Sequence, residues 1–130
     1  MSWPNVYLLF PGNAREALQF YADIFGGRLT VYSYAEFGRD DGPPDAISHG
    51  MLTGAVELFG ADAGSGERSV ELEGMMLSLL GTDAELLRGW FDQLSRTGRV
   101  LSPLQQRPWG AWDGQVVDRY GVRWLIGFEA

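Results

Sequence analysis

Glu57 and His49 are the side chains of this sequence best placed to move a proton. Glu57 stands in Val56-Glu57-Leu58, where a strand's period of two turns its carboxylate away from the face of its apolar neighbours. Facing an apolar cavity it would serve as a general base or as the partner of a cationic ligand group. The structural alternative is a rim position, or an ion pair with an arginine such as Arg123. His49 begins a β-prone stretch after the Gly42-Pro43-Pro44 loop and is a second candidate for proton transfer; a lone histidine also commonly satisfies a backbone carbonyl. Trp109 and Trp112 flank Gly110 and could wall a planar ligand, or pack in the core or at a subunit contact. Trp124 reads as core, because its strand must cover a helix.

The residue types that are missing limit the chemistry further. Without cysteine there is no disulfide, thiol nucleophile or thiolate metal site. All 10 basic residues are arginine, so no side-chain amine exists for a Schiff base. His49 is the 1 histidine, so a site needing two imidazoles cannot be built within one chain. A formal net charge of −7 without a basic run argues against nucleic acid and anionic membranes as partners. Asp40, Asp41 and Asp45 lack the spacing of a calcium loop and read as a solvated turn. Gly12, Gly26 and Gly27 are turn and cap residues, not a dinucleotide fingerprint. No apolar run is long enough to span a bilayer, and no signal sequence precedes Trp3-Pro4, so a cytoplasmic location is expected.

The elements that must position these residues come as a module written twice. Gly27-Arg28-Leu29 returns as Gly98-Arg99-Val100, each after a helix with its own start signal: Asn13 with Glu16, and Thr82 with Glu85. In the first helix Ala14, Ala17, Leu18, Tyr21 and Phe25 form one stripe, and Leu86, Leu87, Trp90, Phe91 and Leu94 do so in the second. Strands are expected at Val6–Phe10, Arg28–Phe37, Ile47–Thr53, Ala55–Phe59, Met75–Leu80, Val100–Leu104, Trp109–Val117 and Val122–Phe128. Each half is therefore β-α-β-β-β, with module 1 over about 1–60, a Gly- and Ser-rich connection over about 61–74, and module 2 over about 75–130. Neither half alone buries much core, so one domain over 1–130 is expected.

This order, the Gly12 to Tyr21 helix start, the Phe25-Gly-Gly27 stop, Pro108-Trp-Gly-Ala-Trp-Asp-Gly114 and Asp118-Arg-Tyr-Gly-Val-Arg-Trp124 together resemble the PhnB-like, glyoxalase-related branch of the vicinal-oxygen-chelate superfamily. The resemblance covers nearly the whole chain. It implies an α+β fold in which the two modules form a curled, mainly antiparallel eight-stranded sheet around a ligand cavity, and it implies a homodimer. Relatives that bind a divalent metal use four inward positions, which fall here at or near Val6, Glu57, Met76 or Leu77, and Trp124 or Leu125. Glu57 is the one usable donor among them, so no metal and no other cofactor is expected. The function implied is binding of a small, partly apolar molecule, with Glu57 and His49 as polar groups and Val6, Leu8, Trp109, Trp112 and Leu125 lining the cavity. The alternatives are a metal-dependent glyoxalase-type lyase or isomerase, and sequestration of an antibiotic.

Overall fold

The computed structural model describes residues 4–71 and 73–129. The chain divides into two compact units, Met1–Val70 and Glu71–Ala130. The first contains β1 (Val6–Phe10), α1 (Ala14–Phe25), β2 (Arg28–Ser33), β3 (Ile47–Thr53) and β4 (Leu58–Asp62). The second contains β5 (Leu77–Gly81), α2 (Ala84–Arg96), β6 (Arg99–Gln106), β7 (Trp112–Val117) and β8 (Arg123–Phe128). Both halves thus have the expected β-α-β-β-β order, and each forms a four-stranded mixed sheet.

In the first sheet the order is β1-β4-β3-β2, and in the second β5-β8-β7-β6. The pair β1/β4 is parallel, with Val6 opposite Leu58 and Phe10 opposite Asp62. Its counterpart β5/β8 is also parallel, with Leu77 opposite Trp124. All other pairs are antiparallel. Pro103 falls in β6, an edge strand, where the missing N–H costs no ladder bond.

Each helix covers one face of its own sheet. The whole expected stripe of α1 is buried, as are Leu87, Trp90, Phe91 and Leu94 of α2; Leu86 is an exception, 44% exposed. Gly50 lets α1 come close, because a Cβ there would run into the Leu18 side chain. Trp124 is core as expected, 1% exposed, and its Nε1 donates to Oδ2 of the buried Asp118 at 2.9 Å. The other oxygen of Asp118 accepts from Tyr120 N and Val122 N, which fixes the turn into β8.

Three local expectations need correction. The Asn13 side chain makes no cap bond; the first turn of α1 is closed by Asp62, whose Oδ1 accepts from Ala14 N at 2.8 Å. Asp83, not Thr82, caps α2, accepting from Leu86 N at 3.1 Å. The connection between modules is also shorter than expected. β4 continues to Asp62, and the residues after it are bonded into the first unit through Ala63 N to Phe10 O, Ser65 N to Asp41 O and Val70 N to Leu9 O.

Candidate functional site

The helix-free face of the first sheet carries a cluster of rings built by simple alternation. Leu8, Leu52 and Leu58 point to the core, so Tyr7 and Leu9 of β1, His49 and Met51 of β3, and Phe59 of β4 take the other side. The ladder sets Tyr7 opposite Phe59, Phe59 opposite Met51, and His49 opposite Tyr32. Tyr7 Oη lies 2.9 Å from His49 Nδ1, with the two rings 14° from parallel and their centroids 5.6 Å apart. Phe59 meets the imidazole edge-on at 6.2 Å, and Phe37 stacks on Tyr32 at 5.4 Å. Tyr7 is 47% exposed, and His49, Met51 and Phe59 are half-buried, so rings and imidazole are open to a ligand. Partial burial lifts the Tyr7 phenol above its ordinary pKa, with the charge of Arg39 opposing; the phenol is therefore neutral at physiological pH.

The sequence named His49 but not Tyr7. The signal was present in Val6-Tyr7-Leu8, where period two separates Tyr7 from the apolar residues on either side. Only the parallel β1/β4 pairing, with β3 next to β4, carries that hydroxyl across to His49, which is 42 residues away.

Glu57 lies just before β4 rather than inside a strand, half-buried and without a hydrogen bond or ion pair among the described residues. His49 is not its neighbour. In the β3/β4 register Glu57 sits beyond the Leu52/Leu58 pair, and His49 beyond the Gly50/Gly60 pair at the other end. At about 3.4 Å per residue that separation is about 13 Å, too far for a catalytic pair. Leu8, expected to line the cavity, is 4% exposed and belongs to the core beneath α1; Val6 shares its face of β1 and is half-buried.

In the second unit Leu125 occupies the helix-free face of its sheet, beside Gln115 and Ser78. Arg123 on the same face donates to Gln115 Oε1 at 2.6 Å, and its Nε is buried without a partner among the described residues. Trp112 lies on the opposite, helix-covered face. It stacks on Phe128 at 5.9 Å, and the Arg88 guanidinium of α2 sits 4.5 Å over its ring. Trp109 is in the β6–β7 turn and 73% exposed. The two tryptophans do share a cleft of about 330 Å³ with Leu80, Thr82, Phe128 and Glu129. The first unit has a larger cleft of about 590 Å³ at the start of α1, reaching Asn13, Tyr34, Asp45 and Asp62. Both carboxylate oxygens of Asp62 are already bonded to backbone N–H groups of this unit, so the deepest charge there is spent on the fold.

The acidic turn is more organised than expected. Arg39 donates from Nε and Nη2 to the two Asp41 oxygens at 2.9 and 2.7 Å, which holds that carboxyl below its ordinary pKa. The same guanidinium lies 3.9 Å over the Tyr34 ring.

Residues 3–126 match the family profile described as Glyoxalase/Bleomycin resistance protein/Dioxygenase superfamily. The chain belongs to this superfamily. Protein YjdN of Escherichia coli is 27% identical over 135 residues, covering 92% of this chain and 90% of that protein. Among solved structures, protein PA1353 from Pseudomonas aeruginosa is 30% identical, with a TM-score of 0.80 over 99% of this chain and 98% of its own. A Bacillus cereus structure described as a putative 3-demethylubiquinone-9 3-methyltransferase, PhnB protein, has the same fold, with a TM-score of 0.80 at 24% identity over 98% of this chain and 99% of its own. The superfamily placement made from the sequence motifs agrees with the family match, and the Bacillus cereus likeness is one of fold.

The metal that some superfamily members hold does not fit the residues at the corresponding positions. Val6, Leu77 and Trp124 lie on the helix-covered faces of their sheets, the indole N–H of Trp124 is committed to Asp118, Leu125 offers no donor, and Met76 offers a thioether alone. Among the described residues no three of His, Asp and Glu converge in a way that could hold an ion. Glu57 alone cannot compete with water for a transition metal.

Proposed function

We propose that the protein binds a small, partly apolar molecule against the helix-free face of its first sheet, without a resident metal. The observation that carries this reading is the ring cluster of Tyr7, Tyr32, His49 and Phe59, apolar and partly exposed, with one imidazole in its middle. Rings supply stacking area, while His49, with the Tyr7 and Tyr32 hydroxyls beside it, supplies the polar contact that orients a ligand. Glu57, at the far end of the same sheet, would meet only a ligand long enough to span that distance. Leu125 and the Trp109/Trp112 cleft belong to the second unit and provide apolar surface there. Binding is favoured over turnover, because the hydroxyl beside the imidazole is a neutral phenol and the other candidate base, Glu57, lies about 13 Å away along the sheet.

Thermal-shift screening of a metabolite library tests this directly. A ligand present at 100 times its Kd should add about 2.7 kcal/mol of stability. His49→Phe should weaken that ligand while leaving the unliganded Tm in place. No response from any compound class would overturn the reading. The rival, metal-dependent lyase or isomerase chemistry, predicts about one metal per chain after dialysis against Zn²⁺, Ni²⁺, Mn²⁺ or Fe²⁺. Elemental analysis should instead find no stoichiometric metal.

A further inference from the structure

His49 has two ring nitrogens with different surroundings. Nδ1 faces the Tyr7 hydroxyl at 2.9 Å, whereas Nε2 has no hydrogen-bond partner among the described residues. In a neutral imidazole one nitrogen carries the proton and the other a lone pair, and the hydrogen bond made by one decides what the other can offer. An imidazole lone pair is a much better acceptor than a phenol oxygen, whose lone pairs are drawn into its ring, so the favourable bond runs from Tyr7 O–H to Nδ1. The neutral phenol retains the proton that this bond requires, and the near-parallel rings, with Phe59 against the imidazole edge, hold the pair in one arrangement.

We infer that Tyr7 is a positioning residue: by donating to Nδ1 it fixes His49 in the tautomer with the proton on Nε2, so that the face presents one N–H donor framed by aromatic rings. The ligand class follows, and this step rests on the function proposed above. The site takes a flat molecule bearing an oxygen acceptor, a carbonyl or carboxylate, and disfavours one of the same size whose polar group only donates. A donor-only ligand would leave Nε2–H facing another N–H and lose the hydrogen bond to the imidazole.

Because His49 is the 1 histidine of the chain, its ring nitrogens can be read without overlap in a long-range proton–nitrogen NMR spectrum. At about pH 8.5, where an ordinary imidazole is neutral, the nitrogen carrying the proton resonates far upfield of the bare one. The expected spectrum has Nε2 upfield, Nδ1 downfield and a wide gap between them. Tyr7→Phe keeps the ring and removes the hydroxyl, and should narrow the gap as the other tautomer becomes populated. Finding the proton on Nδ1 in the native protein, or an unchanged gap in Tyr7→Phe, overturns the inference; should the variant fail to fold, a native gap no wider than that of a free neutral histidine, which already favours this tautomer, overturns it as well.

The ligand class is read with two probes of similar size. Acetophenone, with one acceptor and no donor, should move the Nε2–H resonance and bind about fivefold more tightly than indole, a neutral ring with one N–H donor and no acceptor lone pair, the margin of a single hydrogen bond. Equal binding, or tighter indole, overturns the assignment. A library screen with no hits together with the expected nitrogen spectrum would instead reject the proposed function and leave the Tyr7–His49 arrangement standing.

Discussion

Asp62 holds three parts of the first unit together at one residue. Oδ1 accepts from Ala14 N at the start of α1, Oδ2 accepts from Ile47 N at 2.9 Å at the start of β3, and its carbonyl oxygen accepts from the Tyr34 hydroxyl at 2.6 Å. The side chain is 4% exposed, so water cannot readily replace a lost partner. Asp62→Ala should therefore lower the unfolding free energy by about 3 kcal/mol, since two buried N–H groups lose their acceptor. Asp62→Asn should cost about half as much, because the amide keeps one acceptor oxygen and turns its other group, a donor, against an N–H. Urea titration with an unchanged slope would measure both; losses under about 1 kcal/mol for Asp62→Ala would mean that water satisfies the orphaned groups.

At the scale of elements, the two helices look alike in sequence and are closed differently. Asp83 caps α2 from within its own turn, whereas α1 relies on a residue 48 positions downstream. Asp83→Ala should accordingly destabilise the protein by about 1 kcal/mol, the ordinary worth of an N-cap side chain. Asn13→Ala should change stability by less than about 0.5 kcal/mol, because the Asn13 amide makes no cap bond and its Oδ1 is buried without a partner among the described residues. Thermal unfolding of the two variants side by side checks the contrast. Equal losses would show that Asn13 caps its helix in solution after all. The capping signature in the sequence marked both helix starts within one residue of where they occur, yet it could not say which oxygen does the capping. That choice depends on where β4 ends.

For the whole molecule, several large apolar side chains remain exposed: Phe37 at 54%, Leu80 at 63% and Trp109 at 73%, besides Tyr7. Two-fold pairing of identical chains is the commonest way to cover such surface. A homodimer is the state expected in solution, and light scattering should give about twice the 14.4 kDa chain mass at micromolar concentration. A stable species at the chain mass across that range would reject it. No helix among the described residues is long and apolar enough to cross a membrane.

What the sequence determined by itself is what local periodicity encodes. The two helical stripes, the eight strands, the duplicated β-α-β-β-β order and the buried Trp124 all follow from where apolar residues recur, because a helix or strand must bury one face whatever its partner. The motifs at Gly12 to Gly27 and Pro108 to Trp124 also sufficed to place the chain in its superfamily. The tertiary structure decided everything that depends on strand pairing. Leu8 faces the core and Tyr7 the open side because β1 lies beside β4 in one register, and a shift of a single residue would exchange them. The β3/β4 register separates Glu57 from His49, while the β1/β4 pairing beside it brings Tyr7 to Nδ1 across 42 residues and sets Asp62 at the start of α1. Periodicity gives each side chain a face, but only the register between distant strands gives it a neighbour, and a site is made of neighbours.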